Sequence, residues 1–173
     1  MLLWICKHKG NDMLKFCSYF FCGLILPTIA SALPLTGFYQ TIDDATNQPK
    51  AIVVLYEYEH GQKSELAGRI VATYDANGIP VFDTSYVGMD IIWNMKWDAV
   101  DNQYSGGKIR DPKNGKIYSS VIWQDDEKDK LNVRGKIGPF GRTQHWVVLD
   151  NAQLPKNLKS LSVTDWTPKT NND

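Results

Sequence analysis

The sequence predicts an all-β domain, an antiparallel up-and-down β-barrel of about eight strands, since a sheet of that size must curl to bury one face and remove its edges. Two observations carry this reading. Apolar residues recur at every second position in segments of strand length, and Gly, Pro, Asn and Asp separate those segments at hairpin spacing. No strand–helix–strand alternation, internal repeat or second domain interrupts the series.

The elements follow in order. In Lys50 to Tyr58, Ile52, Val54, Tyr56 and Tyr58 share one face while Val53, Leu55, Glu57 and Glu59 share the other. His60-Gly61 turns that run into a return strand, Glu65 to Tyr74. Asp75 to Gly88 reads as a longer loop, with a short strand at Pro80 to Phe82. Met89 to Trp97 alternates most sharply, placing Met89, Ile91, Trp93, Met95 and Trp97 on one face. Helical geometry would scatter those five around the axis, so a strand is predicted. Asp111-Pro112-Lys113-Asn114-Gly115 then joins Tyr104–Arg110 to Lys116–Trp123 as a hairpin, because Pro presets φ and Asn-Gly tolerates positive φ. Leu131 to Ile137 and Arg142 to Leu149 form the last pair, joined by Gly138-Pro139-Phe140-Gly141. Residues 33–150 thus make the barrel domain. Residues 151–173 make a polar C-terminal tail in which Leu154, Leu158 and Leu161 are spaced for a short helix packed on the domain.

Residues 1–32 read as a signal peptide. Lys15 supplies positive charge, Phe16 to Leu26 is almost wholly apolar, and Ala30-Ser31-Ala32 offers the small residues a signal peptidase needs, giving a mature start at Leu33. The apolar run is shorter than the roughly 20 residues of a membrane-spanning helix. Residues 1–12 fit no region of a signal peptide, which makes Met13 a second candidate start. Cys6, Cys17 and Cys22 all lie in this leader, so the mature chain has no disulfide. The expected localisation is periplasmic, with secretion as the alternative. The mature form is expected to have no membrane span.

Apolar residues make up 43% and charged residues 22% of the 173-residue chain, with a net charge of zero. Loss of Lys7, Lys9, Lys15 and Asp12 with the leader tips the rest slightly acidic. Nucleic-acid binding requires a basic excess, so a nucleic-acid partner is not expected. The mature chain also contains no Gly-x-Ser-x-Gly elbow and no cysteine nucleophile. His60 and His145 lack His, Cys or carboxylate neighbours at ligand spacing. No enzyme activity, metal or cofactor is therefore expected. Gly106-Gly107-Lys108 lacks the spacing of a phosphate loop and reads as a bulge or a close backbone approach.

The candidate ligand-binding residues are Ile91, Trp93, Met95, Trp97, Tyr118 and Arg134. Barrel interiors are either filled by side chains or hollow around a small ligand, and an apolar inward face serves both. Two readings therefore stay open: a barrel binding a small apolar or amphipathic ligand, or a filled structural or interaction module of the cell envelope. Arg134 needs an anionic partner if it points inward. If it alternates opposite Val133 it faces solvent.

Three stretches are similar to one family: Tyr104 to Tyr118, Leu131-Asn-Val-Arg-Gly135, and Arg142-Thr-Gln-His-Trp146. Together with Gly37-Phe38-Tyr39 and Gly68-Arg69-Ile70-Val71, they resemble the bacterial family catalogued as domain of unknown function 2147, over about Thr36 to Leu149. That resemblance implies an exported envelope protein with a lipocalin-like barrel and no assigned activity. The sequence departs from the family pattern at Tyr39, where Trp is usual, and after Trp146, where Val147 and Val148 replace the usual Arg. In lipocalin-like barrels that Arg stacks on the Trp to close the base, so here that closure is either missing or made by another residue.

Overall fold

The computed structural model describes residues 35–170 apart from residue 127, so the leader lies outside the described residues. The strands are β1 Gly37–Ile42, β2 Pro49–His60, β3 Lys63–Tyr74, β4 Pro80–Val81, β5 Asp90–Asp98, β6 Gln103–Arg110, β7 Ile117–Trp123, β8 Lys130–Ile137 and β9 Phe140–Leu149. All pairings are antiparallel, and every strand but β4 has at least two neighbours, β3 pairing with β2, β4 and β5. Pairing of β1 with β9, at Phe38↔Leu149 to Gln40↔Val147, completes a closed ring of eight strands. Among the described strands only β4 stands outside it, appended to β3 at Thr73 and Tyr74. Closure leaves the ring no free edge for another chain to extend.

Hairpin connections alternate between the two ends of the barrel. The β1–β2, β3–β5, β6–β7 and β8–β9 connections lie at one end, the open end. The other connections and Leu35 lie at the opposite, closed end. The interior of the closed half is filled by Leu55, Leu66, Met95, Tyr104, Ile122 and Leu131, all buried.

A second apolar cluster lies outside the ring. Ile52, Val54, Tyr56 and Val71 face away from the barrel interior and are covered by Leu158, Leu161, Val163 and Trp166 of the C-terminal tail. The short helix expected there is a single 3₁₀ turn, Lys156–Leu158. This explains why β2 is apolar on both faces: the barrel core covers one and the tail covers the other. The tail is anchored by charge as well. Asp90 accepts hydrogen bonds from Arg69 Nε and Nη2, both at 2.8 Å, from the Tyr56 hydroxyl at 2.9 Å and from the Lys169 backbone N–H at 2.7 Å. The Arg69 guanidinium lies 4.2 Å from the centre of the Trp166 ring and donates to the Thr167 carbonyl. A buried carboxylate with this many donors is one whose charge is compensated.

Register irregularities shape the wall. Asn94 sits at φ +56°, and the β3–β5 register shifts on either side of Gly68. Gly106 sits at φ +76° where the β6–β7 register shifts, which matches the bulge expected there. Beside it, a Cβ on Gly107 would come within 2.4 Å of Met95 Sδ, so the glycine permits close approach of β6 to β5.

Candidate functional site

The open half of the barrel holds a cavity of about 630 Å³. Its apolar lining comes from alternate positions of the strands: Val53 on β2, Ile70 on β3, Ile91 on β5, Ile109 on β6, Val133 on β8 and Trp146 on β9. Trp146 is buried and pairs with Leu131 toward the packed half, so its ring forms the floor. Thr41, Tyr118 and Gln144 add polar groups to the wall. Thr41 Oγ1 is engaged with the backbone of Ala51, accepting its N–H at 3.1 Å.

Charged side chains ring the mouth, and two ion pairs fix part of that ring. Lys50 Nζ lies 3.7 Å from Asp43, and Arg142 pairs with Asp44. The backbone N–H groups of Ala45 and Thr46 donate to Asp43 Oδ1 and, with Lys50, hold its carboxyl below the usual carboxylate range.

The closed end contains buried phenols. The Tyr104 hydroxyl donates to Glu57 Oε1 at 3.3 Å, and the Trp97 ring meets Tyr104 edge-on at 5.3 Å. Burial, reinforced by the Glu57 carboxylate, raises the Tyr104 phenol to about 12. Tyr39 donates to the Leu35 carbonyl at 2.9 Å, and burial raises it to about 12 as well. This end is thus closed by the packed interior residues, Tyr39 and the Trp97–Tyr104 contact.

The six sequence-predicted site residues are divided among four places. Ile91 and Tyr118 line the cavity. Met95 is part of the packed core, and Trp97 lies against Tyr104 at the closed end. Trp93 and Arg134 face outward. In β5–β6 pairing, Ile92 opposite Ile109 points in and Trp93 opposite Lys108 points out. The single-face stripe expected from Met89 to Trp97 is broken by the irregularities around Ile91 and Asn94, which bring Ile91, Ile92 and Met95 into one core. Trp93 is instead buried on the outer side, where the Arg110 guanidinium lies 5.5 Å from its ring centre. Arg134 pairs across from Val121 on the outer face, beside a shallow groove of about 380 Å³ with Trp123 and Lys136.

Sequence reasoning missed Val53, Ile70, Ile109, Val133 and Trp146 as cavity lining. The available signal was residue size. Along β2 the inward side chains shrink from Leu55 through Val53 to Ala51, and along β8 from Leu131 through Val133 to Gly135. Elsewhere, His60 Nδ1 lies 3.1 Å from Glu65 and its ring stacks on Tyr58. No group of three or more metal-ligating side chains occurs among the described residues.

The profile of a family described as "Uncharacterized protein conserved in bacteria (DUF2147)" matches residues 37–148, from the start of β1 nearly to the end of β9. The chain belongs to the DUF2147 family. Among solved structures, this DUF2147 barrel is similar to the Helicobacter pylori protein HP1028, described as belonging to the lipocalin family. The two are 22% identical with a TM-score of 0.52, over 73% of this chain and 90% of that one. At that identity the likeness concerns the fold, which is the lipocalin-like barrel expected from the sequence. No functionally curated protein matches the DUF2147 chain. Among its described residues no helix is long and apolar enough to cross a membrane.

Proposed function

We propose that this protein is a non-catalytic carrier that binds a small apolar or amphipathic molecule in the open half of its barrel, in the periplasm. The observation that carries the reading is the cavity: about 630 Å³ within an otherwise packed barrel, inside the range of about 300–1,000 Å³ typical of small-molecule sites. An apolar floor beneath a charged rim suits an amphipathic ligand. Its tail would rest on Trp146, Val133 and Ile109, with its head near Tyr118, Gln144 and Lys113. The non-catalytic part of the proposal draws on the placement of charge, since Asp43, Asp44, Lys50 and Arg142 are engaged with one another at the rim. Export is supported by the leader, Lys15 to Ala32.

A tryptophan-quenching titration with an apolar fluorescent probe tests the carrier reading. Binding is expected to saturate, to weaken in Trp146→Phe, and to remain in Trp93→Phe because that ring faces outward. Gly135→Leu should abolish binding while the fold persists, because the first atom added there meets Ile109 and Tyr118 only at ordinary contact distances of 3.4 and 3.6 Å. An absence of saturable binding, together with no co-purifying molecule in native mass spectrometry, would leave a structural or interaction module as the function. N-terminal sequencing of cell-derived protein should give Leu33, and retention of residues before Phe16 would overturn export.

A further inference from the structure

We propose that the open end of the barrel docks on an anionic membrane surface, with the lip formed by Ile137 and Phe140 entering the lipid interface. Ile137 pairs with Phe140 at the tip of the β8–β9 hairpin, across the two-residue turn Gly138-Pro139. Gly138 at φ +56° supplies the positive dihedral that a type II′ turn needs at its first central position, and Pro139 restricts the second. The short turn holds two large apolar side chains in water, Ile137 at 66% exposure and Phe140 at 79%. Ile79 and Ile117 are exposed at the same end, whereas Val100 is the exposed large apolar residue at the other. Exposed apolar groups concentrated at one end mark an interaction surface.

Charge distinguishes the ends in the same sense. Lys50, Arg110, Lys113, Lys116, Lys136 and Arg142 gather at the open end and narrowly outnumber Asp43, Asp44, Asp75, Asp83 and Asp111. At the closed end Glu57, Glu59, Asp98, Asp101, Asp125 and Asp126 outnumber Lys63, Lys128 and Lys130. A molecule polarised in this way turns its basic end toward an anionic surface, and exposed apolar groups there add insertion to attraction. Ile137 and Phe140 also line the cavity mouth, so docking would bring the mouth against the acyl chains. The inference does not require the carrier reading, since an unfilled barrel would dock equally well.

The test is co-sedimentation of the protein, as recovered from cells, with phosphatidylcholine vesicles prepared with and without phosphatidylglycerol. Parent and variants share one N-terminus, so differences between them report the lip and its collar. Binding is expected to the anionic vesicles and to fade toward 1 M salt, where the screening length falls to about 3 Å. Lys113→Glu and Lys136→Glu should each weaken it about fivefold or more. Phe140→Ser should weaken it with an unchanged melting temperature, the side chain being mostly in water. Failure of the parent to bind anionic vesicles, or Phe140→Ser binding as the parent does, would overturn the proposal. So would conversion of an oligomer to a monomer by Phe140→Ser in vesicle-free buffer, which would assign the lip to a contact between copies. The probe titration is run without vesicles, so either reading can fail alone.

Discussion

The two halves of the barrel are built from the same strands with the same alternation, yet one is packed and the other hollow. On β2, Leu55 lies in the packed half while Val53 and Ala51 line the cavity. On β8 the succession is Leu131, Val133, Gly135, and on β5 Met95 gives way to Ile91. Apolar patterning therefore determines which face turns inward, whereas the taper in side-chain volume determines whether that face meets its opposite number. A barrel of this size fills or stays open according to that taper.

The largest expected effect tests this contrast directly. Leu66→Ala in the packed half should cost about 2–5 kcal/mol, because the lost contacts leave a new cavity. Ile91→Ala on the cavity wall should cost less than about 2 kcal/mol, because it enlarges space that already exists. Urea denaturation midpoints measure both, and equal losses would break the distinction between the halves.

Next come two glycines on the inward face. A Cβ on Gly107 would lie 2.4 Å from Met95 Sδ and 2.5 Å from the Trp93 carbonyl oxygen, so Gly107→Ala should destabilise by about 1–3 kcal/mol. Gly135→Ala meets only ordinary contacts and should leave the midpoint nearly unchanged. A loss at Gly135 as large as at Gly107 would show that the open half is packed more tightly than the cavity implies.

Smaller still is the effect expected at the rim. Gly115 sits at φ +72°, and a Cβ there would meet nothing within 4 Å, so Gly115→Val should cost roughly 1–2 kcal/mol through backbone strain alone. Probe affinity should change much less than in Gly135→Leu, because Gly115 itself stands off the cavity lining, which this turn enters only through Asp111, Pro112 and Lys113. An unmoved denaturation midpoint would show that this turn relaxes at no cost.

Much of the fold was legible because its signals are local. The period-two runs and the Asp111–Gly115 turn are readable within a few residues, and those strands appear in the barrel. The site was legible only in part: Ile91 and Tyr118 reach the cavity, whereas Trp93 and Arg134 face outward. A bulge carries no strong sequence signal when its residue is Asn rather than Gly, and the one at Asn94 inverts the assignment of Trp93. The tail was less legible still. Arg69, Asp90 and Trp166 are far apart in sequence, and only the folded barrel brings them together.

The last prediction leaves neutral-pH stability untouched and probes the packed end through its phenols. Burial raises Tyr39 to about 12, and burial together with the Glu57 carboxylate raises Tyr104 to about 12, against about 10 for a tyrosine in the unfolded chain. Below pH 10 both folded and unfolded states keep these protons, and their contribution to stability is fully present. Between about pH 10 and 12 the unfolded chain releases protons that the folded chain retains, so stability falls as pH rises through that window. Denaturation midpoints should therefore hold steady through neutral pH and decline above pH 10. Tyr39→Phe should reduce that decline, since phenylalanine has no proton to release. Phenolate absorbance of the native protein should show a late fraction that Tyr39→Phe diminishes. If every phenol ionised in a single step near pH 10, or if stability held constant to pH 12, the closed end would be open to water and the contrast between the two halves would fail.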